Sequence, residues 1–120
     1  MKQQKAEKLV ADERRRVESE LADADGDITA AGLLQTQQTG EAADSGSTLE
    51  TETLAVARAA DLRQDLGAVR RAEDRLAGQT YGRSVESGSR IPDARLEVAP
   101  LAERTVEEQR RSEEHEHRHS

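Results

Sequence analysis

The chain has 120 residues, 36% of them charged and 33% hydrophobic, with a net charge of −7 and a single aromatic residue, Tyr81. That acidity disfavours DNA or an anionic membrane as partner, because phosphate binding needs clustered positive charge. So little apolar material excludes a thick core and leaves an elongated helical protein or partial disorder.

The abundance of Ala, Glu, Arg, Leu and Gln, with only two prolines, favours helix. In the N-terminal segment Val10, Arg14, Val17, Leu21, Ala24, Ile28 and Ala31 step by four and three, which places them on one seam. This predicts a first helix over about residues 4–35, with fraying or a break near Asp25-Gly26-Asp27, because each glycine costs roughly 1 kcal/mol. Residues 36–47 have turn composition, and Ser47-Thr48-Leu49-Glu50 reads as a capping box. A second helix is expected from about 48, with a seam of Ala55, Ala59, Leu62, Leu66, Val69, Glu73 and Leu76 and a C-cap at Gly78. Two long helices joined by a polar turn make an antiparallel hairpin over residues 1–78.

Residues 79–120 follow as a second region. Its first part, to residue 100, has both prolines of the chain and reads as a small knuckle. A last helix is expected from Pro100 or Leu101 to about 113, before a charged tail with His115, His117 and His119. On a helix these alternating histidines do not converge, so a solvated tail is the simpler reading. The run Arg14-Arg15-Arg16 stands among acidic residues and reads as an ion-paired helix face.

The knuckle carries the most specific pattern: YGRSVESGSRIPDARLEVAPLAERTVEEQ, from Tyr81 to Gln109. Ser84, Ser87, Thr105 and Glu108 have the spacing of a zinc ribbon, two pairs each separated by two residues with seventeen residues between them. None of them is cysteine. Around them stand Tyr81, Gly82, Gly88, Ile91, Pro92, Arg95, Leu96 and Pro100. The stretch resembles the DksA/TraR family of bacterial transcription regulators, whose finger reads YG-x-C-x-x-CG-x-x-I-P-x-x-RLEA-x-P-x-A-x-x-C-x-x-CQ. Many members read GTYG before the finger; this chain reads GQTYG, with Gln79 extra.

The resemblance implies a mainly α fold: a long coiled-coil hairpin, a zinc-finger-like knuckle and a C-terminal helix. It also implies RNA polymerase as partner, entered through the secondary channel, with an acidic hairpin tip acting near the catalytic centre. Counting back from Ser84, the tip positions are Glu41, Asp44 and Gly46. At the positions where the family contacts guanosine tetraphosphate this chain has Ala68, Ala99 and Gln109, so coupling to that alarmone is expected to be weak or absent.

Hydroxyls and one carboxylate make a poor zinc set, so no metal is expected. In its place, Val85, Ile91, Leu96, Val98, Leu101 and Val106 are expected to pack against the hairpin base, with hydrogen bonds among Ser84, Ser87 and Thr105. Glu108 is expected to pair with Arg83 or Arg90 rather than sit buried. Gly88 suits a turn that needs positive φ, and Tyr81 reads as a packing anchor. No phosphate loop, nucleophile elbow or cofactor motif is present, so an enzyme is the least favoured class. With no cysteine, no ~20-residue apolar run and no signal-peptide core, a cytoplasmic protein is expected. The competing reading is a helical structural or adaptor protein that self-associates or binds another protein.

Overall fold

The computed structural model describes residues 1–37 and 42–119, with side chains for residues 1–32 and 49–117. Four helices follow in order: α1 (Gln3–Gln37), α2 (Ala42–Ala77), α3 (Asp93–Val98) and α4 (Val106–His119). There is no strand among the described residues, only an isolated antiparallel bridge between Arg83 and Arg90. The expected fold class, a long helical hairpin followed by a knuckle and a C-terminal helix, is the one found.

The chain forms two compact units, one of Arg14–Ala68 and one of Met1–Glu13 with Val69–Ser120. In the first, α1 buries Val17, Ala24 and Ala31 against Ala55, Ala59 and Leu62 of α2. The heptad repeat is therefore real, but its alternate places, Arg14, Leu21 and Ile28, are only half-buried. Small residues at the seam let two helices approach closely while contributing little apolar area. Exposed charges add a bond across the pair, from Arg63 to Asp25 at 3.0 Å, a kind of contact worth under about 1 kcal/mol.

In the second unit Ala6 and Val10 of α1 lie in the core with Val69, Ala72 and Leu76 of α2 and with Ile91 and Leu96 of the knuckle. The knuckle thus shares its core with the first turns of α1 and the last turns of α2, which the sequence assigned to the hairpin.

Three expectations about boundaries fail. α1 passes through Gly26 unbroken; Gly26 is exposed while Ala24 beside it is fully buried, so packing on the inner face outweighs a penalty of roughly 1 kcal/mol. α2 begins at Ala42, so Ser47 lies inside the helix and does not cap it. Ala42, Ala43 and Asp44 accept helix readily, and extending an existing helix costs less than ordering an irregular turn. The last helix starts at Val106 and runs to His119, later at both ends than expected, for a reason that lies in the site itself.

Candidate functional site

The knuckle begins where α2 stops. The amide of Thr80 donates to the carbonyl of Arg75 at 2.8 Å and that of Gln79 to Leu76 at 3.2 Å. This is a Schellman closure with Gly78 as the cap. The left-handed residue after the cap is Gln79, at φ 61°. Glycine suits that place best; a side chain there costs roughly 1–2 kcal/mol.

Two further left-handed residues shape the loop, Gly82 at φ 85° and Gly88 at φ 76°, the second as the sequence predicts. Between them the backbone folds on itself. Ile91 donates to the carbonyl of Gly82 at 2.7 Å, Ser84 to Ser89 at 2.8 Å and Gly88 to Ser84 at 2.9 Å. The Ser84 hydroxyl accepts from the amides of Glu86 and Ser87 at 3.1 and 3.2 Å, and Ser87 Oγ accepts from the Ser89 amide at 3.2 Å. Inside this tight loop Ser84 is buried.

Opposite stands the start of α4. Glu108 Oε1 accepts from the Thr105 amide at 2.9 Å, and Thr105 Oγ1 accepts from the Glu108 amide at 3.3 Å. This is a capping box, Thr-Val-Glu-Glu, in which each side chain satisfies an amide the helix leaves open. It fixes the helix start at Val106. The same box turns the Glu108 carboxylate inward, where the residue is 4% exposed. The Thr105 amide, then the hydroxyls of Ser87 and Ser84, stabilise its charged form and hold its pKa at about 2, well below the usual 4.5.

The four positions with zinc-ribbon spacing therefore do converge, but on an anion. A metal finger surrounds a cation with thiolates; this knuckle surrounds a carboxylate with donors. Glu108 pairs with neither Arg83 nor Arg90, because the capping box carries its carboxylate to the interior. Arg83 reaches the Gly88 carbonyl at 3.4 Å and Arg90 pairs with Asp93 at 3.5 Å, both on the surface. The donor set does not suit zinc: three hydroxyl groups and a carboxylate already bonded, with no group of three or more His, Cys, Asp or Glu that could hold a metal among the described residues.

Packing contributes less than expected. Only Ile91 and Leu96 of the six apolar candidates are buried, each 1% exposed, while Val85, Val98 and Val106 lie open and Leu101 is intermediate. Polar stitching takes up the difference. Val85 donates to the Glu103 carbonyl at 2.8 Å, and Arg95 Nε donates to the Arg104 carbonyl at 3.0 Å. The Tyr81 hydroxyl donates to the Pro100 carbonyl at 2.8 Å, and burial raises its pKa against the opposing pull of the Arg75 cation. Glu103 accepts from Arg71 at 2.9 Å. Neither Arg71 nor Glu103 stands out in the sequence; their pairing spans 32 positions and follows only from the fold.

Of the expected tip residues, Glu41 lies outside the described residues. Asp44 and Gly46 are in the backbone of α2, and their side chains lie outside the described residues. Ala68, Ala99 and Gln109 are all half-buried and uncharged; Gln109 Nε2 donates to Glu113 at 3.2 Å.

No family model matches the chain and no curated protein does. A solved structure titled as the transcription factor DksA2 from Pseudomonas aeruginosa matches with a TM-score of 0.79 and 23% identity, over 96% of this chain and 85% of that one. The chain therefore has the DksA fold.

Proposed function

We propose that this chain is a zinc-free, cytoplasmic regulator of the DksA/TraR kind, which binds bacterial RNA polymerase through the secondary channel and modulates initiation without reading DNA sequence. The observation that carries the reading is the agreement of two separate likenesses, the knuckle's motif and the fold, on one kind of protein. Charge distribution supports it. The segment Arg14–Ala68 holds eleven acidic and five basic residues, nearly all of the chain's net negative charge, which suits a basic cavity on a protein partner and repels nucleic acid.

Asp44 and Glu41 act as the tip carboxylates, with Gly46 beside them. Their role is electrostatic: negative charge near the polymerase's magnesium ions shifts the stability of initiation complexes. The protein performs no chemistry itself. Guanosine tetraphosphate has little hold on it, because the neutral Ala68, Ala99 and Gln109 offer a polyphosphate no cation. Transcription in vitro tests the role of the tip: Asp44→Ala keeps polymerase binding and loses the regulatory effect. Equal activity of the variant and the parent overturns the assignment of the tip.

A second reading draws on exposed apolar residues of α2, where Leu49, Leu54 and Val56 are 54%, 72% and 49% exposed. A self-associating adaptor would bury them. Sedimentation over a range of concentrations separates the two: a monomer supports the regulator, and a tight dimer supports the adaptor.

A further inference from the structure

Within this acidic chain, one concave surface is lined by cations. A cleft of about 500 Å³ lies beside the knuckle loop and the first turns of α4, with Arg90, Arg95 and Arg111 on its walls together with Glu107 and Glu108. Glu108 is ionised, with its carboxylate buried and bonded to the Thr105 amide, so the lining sets three cations against two carboxylates.

The three arginines differ in how ready they are. Arg95 is preset: Nε donates to the Arg104 carbonyl, which fixes the plane of a half-buried guanidinium. Arg90 meets Asp93 at 3.5 Å through a side chain 71% exposed, a pair weak enough to exchange for another carboxylate. Arg111 is exposed and has no hydrogen bond or ion pair among the described residues.

We infer that this cleft is a docking site for an acidic segment of a partner polypeptide, whose carboxylates engage Arg95, Arg111 and Arg90. Guanidinium groups bind carboxylates in a two-pronged geometry with defined orientation. Carboxylates one helical turn apart stand roughly 5–6 Å from each other and can pass on either side of Glu107. A compact polyphosphate would bring all its charge against that residue. The site goes beyond the proposed function and does not depend on it: any protein with such an acidic segment qualifies.

The test uses the full chain and a fluorescently labelled octaglutamate peptide, followed by anisotropy at low ionic strength. The wild type binds the peptide and loses it as salt rises. Arg90→Glu combined with Arg111→Glu weakens binding at least about tenfold, since opposed charges become like charges. Arg58→Glu, which reverses an exposed arginine of α2 that does not line the cleft, leaves binding within about twofold, because an exposed charge outside the site is screened. Unchanged thermal unfolding shows that the double variant is folded. Absence of binding by the wild type, equal loss in the Arg58→Glu control, or displacement by inorganic pyrophosphate at lower concentration than by unlabelled peptide each overturns the proposal. Because polymerase is absent from the assay, its outcome is separate from that of the functional reading.

Discussion

Thr105 and Glu108 close the knuckle by satisfying each other's backbone: the Glu108 carboxylate takes the Thr105 amide at 2.9 Å and the Thr105 hydroxyl takes the Glu108 amide at 3.3 Å. One hydrogen-bonded pair thereby starts α4 and fills the centre of the knuckle. Thr105→Ala removes one half of the box and is expected to cost about 1 kcal/mol, the usual value of a helix cap. Glu108→Ala should cost more, because it also strips the Thr105 amide and the hydroxyls of Ser84 and Ser87 of their acceptor. Urea unfolding of both variants gives the order; a milder effect for Glu108→Ala contradicts it.

The same carboxylate sets a pH window. Its folded pKa of about 2 lies below its ordinary 4.5, so the folded state binds this proton less readily than the unfolded chain does. The stability it provides is therefore full above the unfolded pKa and falls as pH drops from about 4.5 towards 2. Glu108→Gln has no charge to lose. Thermal unfolding between neutral pH and pH 2 should show a steeper fall for the wild type than for the variant, and parallel curves would contradict this.

Gln79 holds the left-handed place after α2 at φ 61°. Gln79→Gly relieves that strain, while glycine's freedom in the unfolded chain takes back part of the gain. A net stabilisation of about 0.5–1 kcal/mol is expected. A loss of stability in chemical denaturation would mean that the glutamine side chain makes a contact outweighing its backbone cost.

Convergence of the four positions implies that thiols placed there would bind metal. The variant carrying Ser84→Cys, Ser87→Cys, Thr105→Cys and Glu108→Cys should take up one zinc ion per chain, and chelators should unfold its knuckle. The wild type should bind none and keep its unfolding curve unchanged in chelator. Metal analysis of both proteins decides: zinc in the wild type, or none in the variant, contradicts the geometry described for the knuckle.

Much of the hairpin was readable because its signal is periodic. Val10, Val17, Ala24 and Ala31 repeat every seven residues, and all four are buried. The ends were harder to place. Ser47–Glu50 and Thr105–Glu108 have the same capping pattern, and only the second is a cap. Ala42 and Ala43 let α2 start upstream of the first, whereas the loop held by Glu103 and Arg104 gives α4 nothing upstream to grow from. Thr105–Glu108 does not stand out as a box in the sequence, because its spacing also fits one ligand pair of a zinc ribbon. The burial of a carboxylate among hydroxyls could not be read at all, since acidity and hydrogen bonding favour the surface until the fold assembles the donors.

Competition for purified RNA polymerase tests the central claim most directly. The chain, labelled outside the knuckle, is bound to polymerase from its source organism and challenged with an established secondary-channel binder. Saturable binding that the competitor displaces fully is the expected result. Absence of binding, or binding that the competitor leaves untouched, while the knuckle is shown to be folded, would contradict it and leave the DksA fold here without that function.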